Sequence, residues 1–317
     1  MAPLLSVCNL SVTVHLDAVA VVLIRDVSFV AESGELVGLV GESGSGKSLT
    51  ALAILGLLPT RCRVTSGRVE LAGDNLLACS TQRKREARGG RVGMVFQEPM
   101  TALNPTLKVG YQIAETVNAH RGTDRHSAWQ EAGRLLDLVA LPAAGDTLHA
   151  YPHQLSGGQR QRVMIAVALA GEPEVLIADE PTSALDVTVQ AQILELLDRL
   201  ASELGLAVLL ITHDLGVVAE ICQRVMVMYA GELVEQSAVI QLFETPAHPY
   251  TRALLATLPA GALPAGIEEL PSLAGAPPEP GCRPKGCAFH PRCQEAMPEC
   301  LETSPPPERH DTGQWAR

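Results

Sequence analysis

The chain has 317 residues, of which 47% are hydrophobic and 19% charged, so it can bury one large core and still carry an appendage. Its formal net charge of −11 argues against a nucleic-acid-binding protein, because neutralising phosphates requires an excess of Lys and Arg. No apolar run reaches the roughly eighteen residues that a membrane-spanning helix needs.

The N-terminal segment favours β-strands over a secretory signal. A signal peptide begins with a basic region, whereas here the first basic residue other than His15 is Arg25. The alternation of apolar and polar residues in SVTVHL is typical of a strand. Four cysteines lie scattered, as in a reduced cytosolic protein: Cys8, Cys62, Cys79 and Cys222.

A glycine-rich loop between a strand and a helix is the first motif with evident chemistry. GESGSGKS, residues 41–48, matches G-x-x-x-x-G-K-[ST]; the apolar stretch Leu36–Val40 precedes it and a helix of Leu and Ala follows. In such loops the backbone N–H groups curl around phosphate oxygens. We therefore predict that ATP contacts the loop and the start of the helix, at Gly41, Ser43, Gly44, Ser45, Gly46, Lys47, Ser48 and Leu49.

Two carboxylates follow the apolar run VLIA at residues 175–178. In an open α/β sheet, ligands collect at the carboxyl ends of the strands, where Asp179 and Glu180 would lie. Asp179 is expected to hold Mg²⁺ together with the Ser48 hydroxyl. Glu180 would then be free to orient or deprotonate the attacking water.

The order of the elements predicts the fold class. Strand-like runs alternate with helical ones, which indicates an α/β fold with a mostly parallel sheet. Residues 98–162 are more polar and helical. Twelve of the 22 prolines fall between Pro259 and Pro307, so the end of the chain is expected to be a loop-rich appendage.

A set of six short motifs points to one family. GESGSGKS, VFQEP, LSGGQRQR, VLIADEP, SALD and ITHD follow one another in this order, and together they resemble the ATPase subunits of ABC transporters. The resemblance implies a P-loop ABC ATPase core with a small antiparallel β subdomain and an inserted helical subdomain at about residues 98–162. The nucleotide-binding domain would span residues 1–238 and a C-terminal extension residues 239–317.

The same resemblance assigns roles to further residues. Two subunits would pack head to tail, and the LSGGQ motif of one would contact the ATP of the other. Gln97 would touch Mg²⁺ or water, His213 the γ-phosphate, and Asp186 would link the two ATP sites. The LSGGQ residues that would act on the partner's ATP are Ser156, Gly157, Gly158 and Gln159.

Longer stretches narrow the resemblance to importers. FQEPMTALNP (96–105) and HPYTRALL (248–255) are similar to segments of bacterial dipeptide and oligopeptide importer ATPases, and nickel importers share much of the pattern. The resemblance implies two membrane permeases, an extracytoplasmic solute-binding protein, a related second ATPase chain and a place on the cytoplasmic face of the membrane. The alternatives are import of nickel or another small solute, and a non-transport ABC ATPase.

One departure from the family concerns adenine. Family members often stack an aromatic side chain on the base from the first strand region, but residues 9–28 contain no Phe, Tyr or Trp. His15 is the only ring in that stretch, so stacking on adenine is expected either to be weak or to come from aliphatic residues.

Four of the eight cysteines lie within nineteen residues of the tail, separated by four, five and six residues. Four thiolates in a proline-rich loop could enclose one metal centre. We expect a [4Fe–4S] cluster, with Zn²⁺ or free thiols as alternatives and His290 or His310 as possible substitute ligands. The expected ligands are Cys282, Cys287, Cys293 and Cys300.

Overall fold

The computed structural model describes residues 3–16, 19–183, 185–258, 273–309 and 314–317. Within these ranges the strands form a four-stranded sheet and an eight-stranded sheet. The strands are β1 (Leu5–Leu16), β2 (Val19–Ala31), β3 (Leu36–Val40), β4 (Cys62–Leu71), β5 (Asp74–Asn75), β6 (Val92–Val95), β7 (Val175–Asp179), β8 (Ala207–Thr212), β9 (Arg224–Tyr229), β10 (Glu232–Ala238), β11 (Glu308–Arg309) and β12 (Trp315–Ala316).

Helices connect most of the strands of the larger sheet. They are α1 (Lys47–Leu55), α2 (Thr81–Gly90), α3 (Pro99–Ala102), α4 (Val109–Arg121), α5 (Arg125–Leu138), α6 (Ala144–Thr147), α7 (Gly157–Leu169), α8 (Val187–Leu204), α9 (Leu215–Ile221), α10 (Val239–Glu244), α11 (Pro249–Ala256) and α12 (Pro298–Glu302). Two 3₁₀ turns cover Pro152–Gln154 and His290–Arg292.

The eight-stranded sheet has the order β11-β12-β10-β9-β3-β8-β7-β6. Strands β9, β3, β8, β7 and β6 pair in parallel, while β10, β12 and β11 add antiparallel partners at one edge. The smaller sheet, β2-β1-β4-β5, is antiparallel throughout. The predicted α/β fold with a mostly parallel sheet and a small antiparallel subdomain is confirmed.

Alternating strand residues feed two separate cores. In β3, Leu36 and Val40 pack with α4, α5, α7 and α8, whereas Val37 and Leu39 pack with α1 and the antiparallel sheet. All four side chains are at most 1% exposed. Strand side chains point to opposite faces with a period of two, so a sheet covered on both faces reads as a continuous apolar run.

The parallel register places the functional motifs at one edge. Strands β3, β8 and β7 lie side by side. β3 ends directly before the glycine loop, β8 ends directly before His213, and β7 ends at Asp179, next to Glu180. β6 ends two residues before Gln97 and pairs with β7. The carboxyl edge of the sheet therefore collects residues that are far apart in sequence.

The C-terminal part of the chain returns to the core. β12 pairs with β10, so the last described residues extend the large sheet. Residues 273–309 are mostly loop with one short helix, as the prolines predicted, whereas the pairing of β12 has no signal in the sequence. No helix among the described residues is both long and apolar enough to cross a membrane.

Candidate nucleotide site

The glycine loop fits tightly between β3 and the end of β9. A Cβ at Gly41 would lie 2.1 Å from the carbonyl oxygen of Met228, so a larger residue would displace the backbone there. Gly46 begins α1 with φ +108, a conformation that favours glycine. The first N–H groups of α1 consequently face the space above the loop, where an anion would bind favourably.

Lys47 is buried under this loop. Its ammonium donates hydrogen bonds to the carbonyl oxygens of Gly41 (2.6 Å) and Glu42 (3.0 Å). Burial lowers the pKa of Lys47, and the carboxylates of Glu180, Asp179 and Glu42 oppose that shift. The side chain is thus a cation held among three acids, positioned to exchange its carbonyl partners for phosphate oxygens.

The two expected Mg²⁺ ligands touch. The Ser48 hydroxyl donates a hydrogen bond of 3.1 Å to Oδ1 of Asp179. Burial raises the pKa of Asp179, while the Ser48 hydrogen bond and the charge of Lys47 lower it. A hydroxyl and a carboxylate oxygen are hard ligands of the kind that Mg²⁺ prefers, so the donor set fits this ion.

Ser45 carries a buried polar group without a partner. Its hydroxyl is buried and has no hydrogen-bond partner among the described residues. Buried hydroxyls are normally paired, because an unsatisfied polar group costs on the order of 1–3 kcal/mol. Ser45 does not line the cavity above the loop, so this hydroxyl lies on the packed side of the loop, where a Cβ at Gly41 would lie 2.9 Å from it.

Glu180 is held on both sides of its carboxylate. Gln97 donates a hydrogen bond of 2.9 Å to Oε2, and Nδ1 of His213 lies 3.1 Å from Oε1. The backbone of Glu180 has φ +47, which is uncommon for a residue with a side chain and is typically strained. The sheet edge therefore fixes the direction of this carboxylate.

A cavity of about 400 Å³ opens above the loop. Its polar end is formed by Gln97, Glu180, Lys47 and Ser48, and its other end by Val22, Leu23 and residues 278–281 with Arg283. This volume lies within the usual range for small-molecule sites. Of the predicted ATP-binding residues the following line it directly: Ser43, Gly44, Gly46, Lys47, Ser48 and Leu49.

Two known protein families match parts of this chain. The family model described as "ABC transporter" matches residues 24–183, about half of the chain. The chain belongs to the ABC transporter ATP-binding family. A second model, "Oligopeptide/dipeptide transporter, C-terminal region", matches residues 234–300.

The alignments with curated relatives span most of this chain. A putative peptide import ATP-binding protein of Brucella abortus (strain 2308) is 49% identical over 304 residues, 96% of this chain and 91% of the relative. A probable peptide ABC transporter ATP-binding protein of Sinorhizobium fredii (strain NBRC 101917 / NGR234) is 51% identical over 280 residues, 88% of this chain and 83% of the relative.

A solved dimeric bacterial ABC transporter cassette superposes with a TM-score of 0.66 at 29% identity, covering 74% of this chain and 98% of that one. The same cassette is known in a post-hydrolysis state bound to ADP and Pi. These likenesses confirm the P-loop ABC ATPase fold that the motifs predicted.

The ABC signature lies away from this cavity. Ser156 begins α7, accepting a hydrogen bond from the Gln159 N–H (3.3 Å), while Oε1 of Gln159 accepts one from the Ser156 N–H (2.9 Å). The Ser156 hydroxyl proton stays free to donate to another group. None of Ser156, Gly157, Gly158 and Gln159 is among the described residues that line the chain's own cavity.

Asp186 connects the signature region to α8. It caps this helix, since Oδ1 accepts a hydrogen bond of 3.0 Å from the Val189 N–H. A Cβ at Gly158 would lie 2.5 Å from Cγ1 of the same Val189. The start of α7 and the segment around Asp186 are thus in direct contact, and a larger residue at Gly158 would push them apart.

The C-terminal region contacts the glycine loop, which the sequence did not reveal. The Glu42 N–H donates a hydrogen bond of 2.9 Å to the hydroxyl of Tyr250, and Arg292 forms two hydrogen bonds, of 2.7 and 3.0 Å, to the Glu42 carboxylate. Tyr229, Tyr250 and Phe289 pack ring against ring beneath these contacts. Tyr250 belongs to the HPYTRALL segment, whose resemblance to importer ATPases gave no sign of this contact.

The structure does not gather the four tail cysteines into a metal site. In the part of the chain that it describes, no group of three or more His, Cys, Asp or Glu side chains is arranged to hold a metal ion. Cys282 is exposed, whereas Cys287, Cys293 and Cys300 are half-buried, with a hydrogen bond of 3.0 Å between the Cys287 N–H and the Cys300 carbonyl. Thiolates are the right donors for a [4Fe–4S] cluster or Zn²⁺, but in this arrangement the described side chains are not placed to share one metal centre. The substitute ligand His310 lies outside the described residues.

Proposed function

We propose that this ABC protein is the ATP-hydrolysing subunit of a peptide importer. The observation that carries the hydrolysis is the Glu180 carboxylate, fixed between Gln97 and His213 at the polar end of a cavity that also contains Lys47 and Ser48. A fixed carboxylate beside a phosphate loop can orient a water molecule for in-line attack on the γ-phosphorus.

Each residue of this end has a separate task in the proposed reaction. Lys47 exchanges loop carbonyls for phosphate oxygens and neutralises charge. Ser48 and Asp179 would hold Mg²⁺, which would supply stabilisation of the negative charge on the phosphates. Glu180 accepts the proton of the attacking water, and His213, whose side chain is 61% exposed, orients Glu180 from the outer side.

The signature motif supports a dimer. Ser156 and the N–H groups at the start of α7 can recognise a phosphate, yet they do not line the cavity of their own chain. We infer that they complete the ATP site of a second subunit packed head to tail. ATP then favours the closed dimer by its differential contacts, and hydrolysis removes them. A related but different chain as the partner is part of this proposal.

The transport role rests on the C-terminal half. Residues 234–300 match the oligopeptide/dipeptide transporter region, and the relatives carry peptide import in their names. We propose two permease subunits, an extracytoplasmic binding protein and a position on the cytoplasmic face of the membrane, with residues 98–162 gripping the permeases. Peptide import is favoured over nickel or a non-transport role because this region matches. The nucleotide-binding domain would end near residue 238.

Co-purification and transport assays test the import proposal. The tagged chain, extracted in mild detergent, should bring down two membrane-spanning permeases, and vesicles holding the assembly should accumulate labelled dipeptide in an ATP-dependent way. Uptake of Ni²⁺ with no uptake of peptide would replace the substrate, and an active ATPase with no permease would reject import.

For the tail we propose that the cysteines bind a [4Fe–4S] cluster in the assembled protein, with Zn²⁺ as the alternative. What supports this is the density of thiols and the hydrogen bond between the Cys287 N–H and the Cys300 carbonyl, which brings two of these residues together. The described arrangement argues against it, because it does not gather the ligands. Iron, zinc and acid-labile sulfide measured on protein purified without oxygen decide the matter. Neither metal in stoichiometric amount would leave the cysteines as free thiols.

A further inference from the structure

The base-binding end of the cavity has no aromatic side chain. Among the described residues that line it there is no Phe, Tyr or Trp. Instead, β2 contributes Val22 and Leu23 to the lining, and Val22 is 45% exposed. A purine ring stacked there on β2 alone would keep its other face in water, which gives little of the apolar contact that small-molecule sites usually provide.

The missing side is supplied by the C-terminal region. Pro278, Glu279, Pro280 and Gly281 line the same cavity as the glycine loop, although they follow it by more than two hundred residues. A Cβ at Gly281 would lie 3.3 Å from Cγ2 of Val21, so this segment packs directly against β2. Two proline rings are rigid and apolar, so they can cover a base without any loss of side-chain entropy.

Arg283 fixes this segment to the core. Its side chain donates a hydrogen bond of 2.8 Å to the carbonyl oxygen of Ala230 and forms an ion pair of 2.6 Å with Glu232, a side chain only 7% exposed. Gly231, which follows Ala230, donates its N–H to the Ser45 carbonyl oxygen at 2.9 Å. The short turn at Ala230 and Gly231 therefore links the C-terminal segment to the phosphate loop through hydrogen bonds on both sides.

We infer that residues 278–281 form the wall that covers the nucleobase of bound ATP, in the position where no aromatic residue is available. This inference rests on the proposed ATP site and names a specificity-determining part of it. The base lies between Val22 and Leu23 on one side and Pro278 and Pro280 on the other, with the phosphates on the glycine loop. The C-terminal region is then a component of the ATP site itself.

The test compares two ligands that differ only in the nucleoside. The affinity of the purified full-length chain for Mg·ATP and for Mg·tripolyphosphate is measured by titration calorimetry. In the double variant Pro278→Gly/Pro280→Gly we expect ATP to bind roughly fivefold to tenfold more weakly, the order expected from losing roughly 50 Å² of apolar contact. Tripolyphosphate affinity should not change, since it has no base.

A matched control and an independent variant complete the design. The control Pro305→Gly/Pro306→Gly alters two tail prolines that do not line the cavity, one half-buried and one exposed, like Pro278 and Pro280. Its affinities for ATP and tripolyphosphate should stay at the wild-type values. Val22→Ser weakens the opposite wall without touching the tail. Its effect should be less than additive with the Pro278/Pro280 change, because one ring contacts both sides.

The outcomes separate cleanly. Unchanged ATP affinity in the Pro278/Pro280 variant, or an equal loss for ATP and tripolyphosphate, would overturn the wall while leaving the ATPase proposal intact. Full additivity with Val22→Ser would also reject a shared ring. If the wild-type chain binds ATP no more tightly than tripolyphosphate, there is no base site at all. If it binds neither ligand, the proposed function is rejected as well.

Discussion

Arg292 of the cysteine-rich tail grips the carboxylate of Glu42, the second residue of the glycine loop, with two hydrogen bonds of 2.7 and 3.0 Å. The Arg292 side chain is 5% exposed and that of Glu42 is 26% exposed. Paired bonds of this kind fix direction as well as distance. The tail is consequently fastened to the phosphate loop at a point 250 residues away in sequence.

We predict that this pair couples the tail to the loop by about 2 kcal/mol, because removing one partner leaves a charge partly buried. A double-mutant cycle of Arg292→Met and Glu42→Gln, followed by urea unfolding, measures that coupling. The cycle cancels the separate effect of Glu42 on Lys47, which is common to both arms.

The pair Arg252–Glu295 is the matched control. It also involves the tail, but its side chains are 39% and 62% exposed, so its coupling should stay below about 1 kcal/mol. Arg292→Met should also weaken ATP and tripolyphosphate together, because it acts on the phosphate loop. Equal coupling in the two pairs would mean that the Arg292 contact has no special role.

We predict that the Glu180 carboxylate is needed for hydrolysis but not for ATP binding. Replacing its carboxylate by an amide should lower turnover by about 10²–10⁴-fold, because the group that accepts the water proton is lost while the shape is kept. ATP affinity should stay near the wild-type value. Steady-state hydrolysis and calorimetric binding measure the two effects, with Glu203→Gln on the exposed face of α8 as the control. Near-normal turnover in Glu180→Gln would exclude the proposed role as base.

We predict that Lys47 affects ATP binding, whereas Glu180 affects turnover. Lys47→Ala removes the cation that faces Glu42, Asp179 and Glu180, so ATP binding should weaken by at least tenfold. Lys285→Ala, at an exposed lysine of the tail, should bind ATP normally. The affinity for Mg·ATP measured on both variants checks this. Equal affinities for the two would contradict the assignment of the phosphate loop.

How far the sequence predicts this protein depends on whether a contact is local. The glycine loop and its flanking strand and helix could be predicted, because the motif and the apolar runs lie within about twenty consecutive residues. The meeting of Gln97, Glu180 and His213 followed from the rule for parallel sheets together with the family resemblance.

Contacts that depend on the folded path of the tail could not be predicted. Arg292 and Pro278 have no spacing relation to Glu42 or Val22, and both positions look like ordinary loop residues in sequence. The cysteine expectation illustrates the converse. Close spacing alone did not ensure that the four thiols gather around one point, because the folded path of the tail decides which side chains converge.

His248 gives a prediction about pH. Its side chain is buried, its Nδ1 accepts a hydrogen bond of 3.0 Å from the Tyr250 N–H, and burial together with the charge of Arg252 lowers its pKa to about 4. In the unfolded chain the ordinary pKa is about 6.5, so as pH falls the unfolded state binds the proton first. The stabilising effect is therefore complete above about pH 6.5 and is lost as pH falls toward 4.

Between pH 7 and pH 5 this histidine should reduce the free energy of unfolding by about 2 kcal/mol. His248→Asn keeps a helix-capping side chain that does not titrate, so its unfolding free energy should fall by that much less over the same range. Urea unfolding at pH 7, 6 and 5 compares the variant with wild type. His153→Asn, at an exposed histidine, should keep the wild-type slope. The same pH dependence in wild type and His248→Asn would show that His248 is not held neutral, and that the contact between α11 and the phosphate loop does not depend on its protonation.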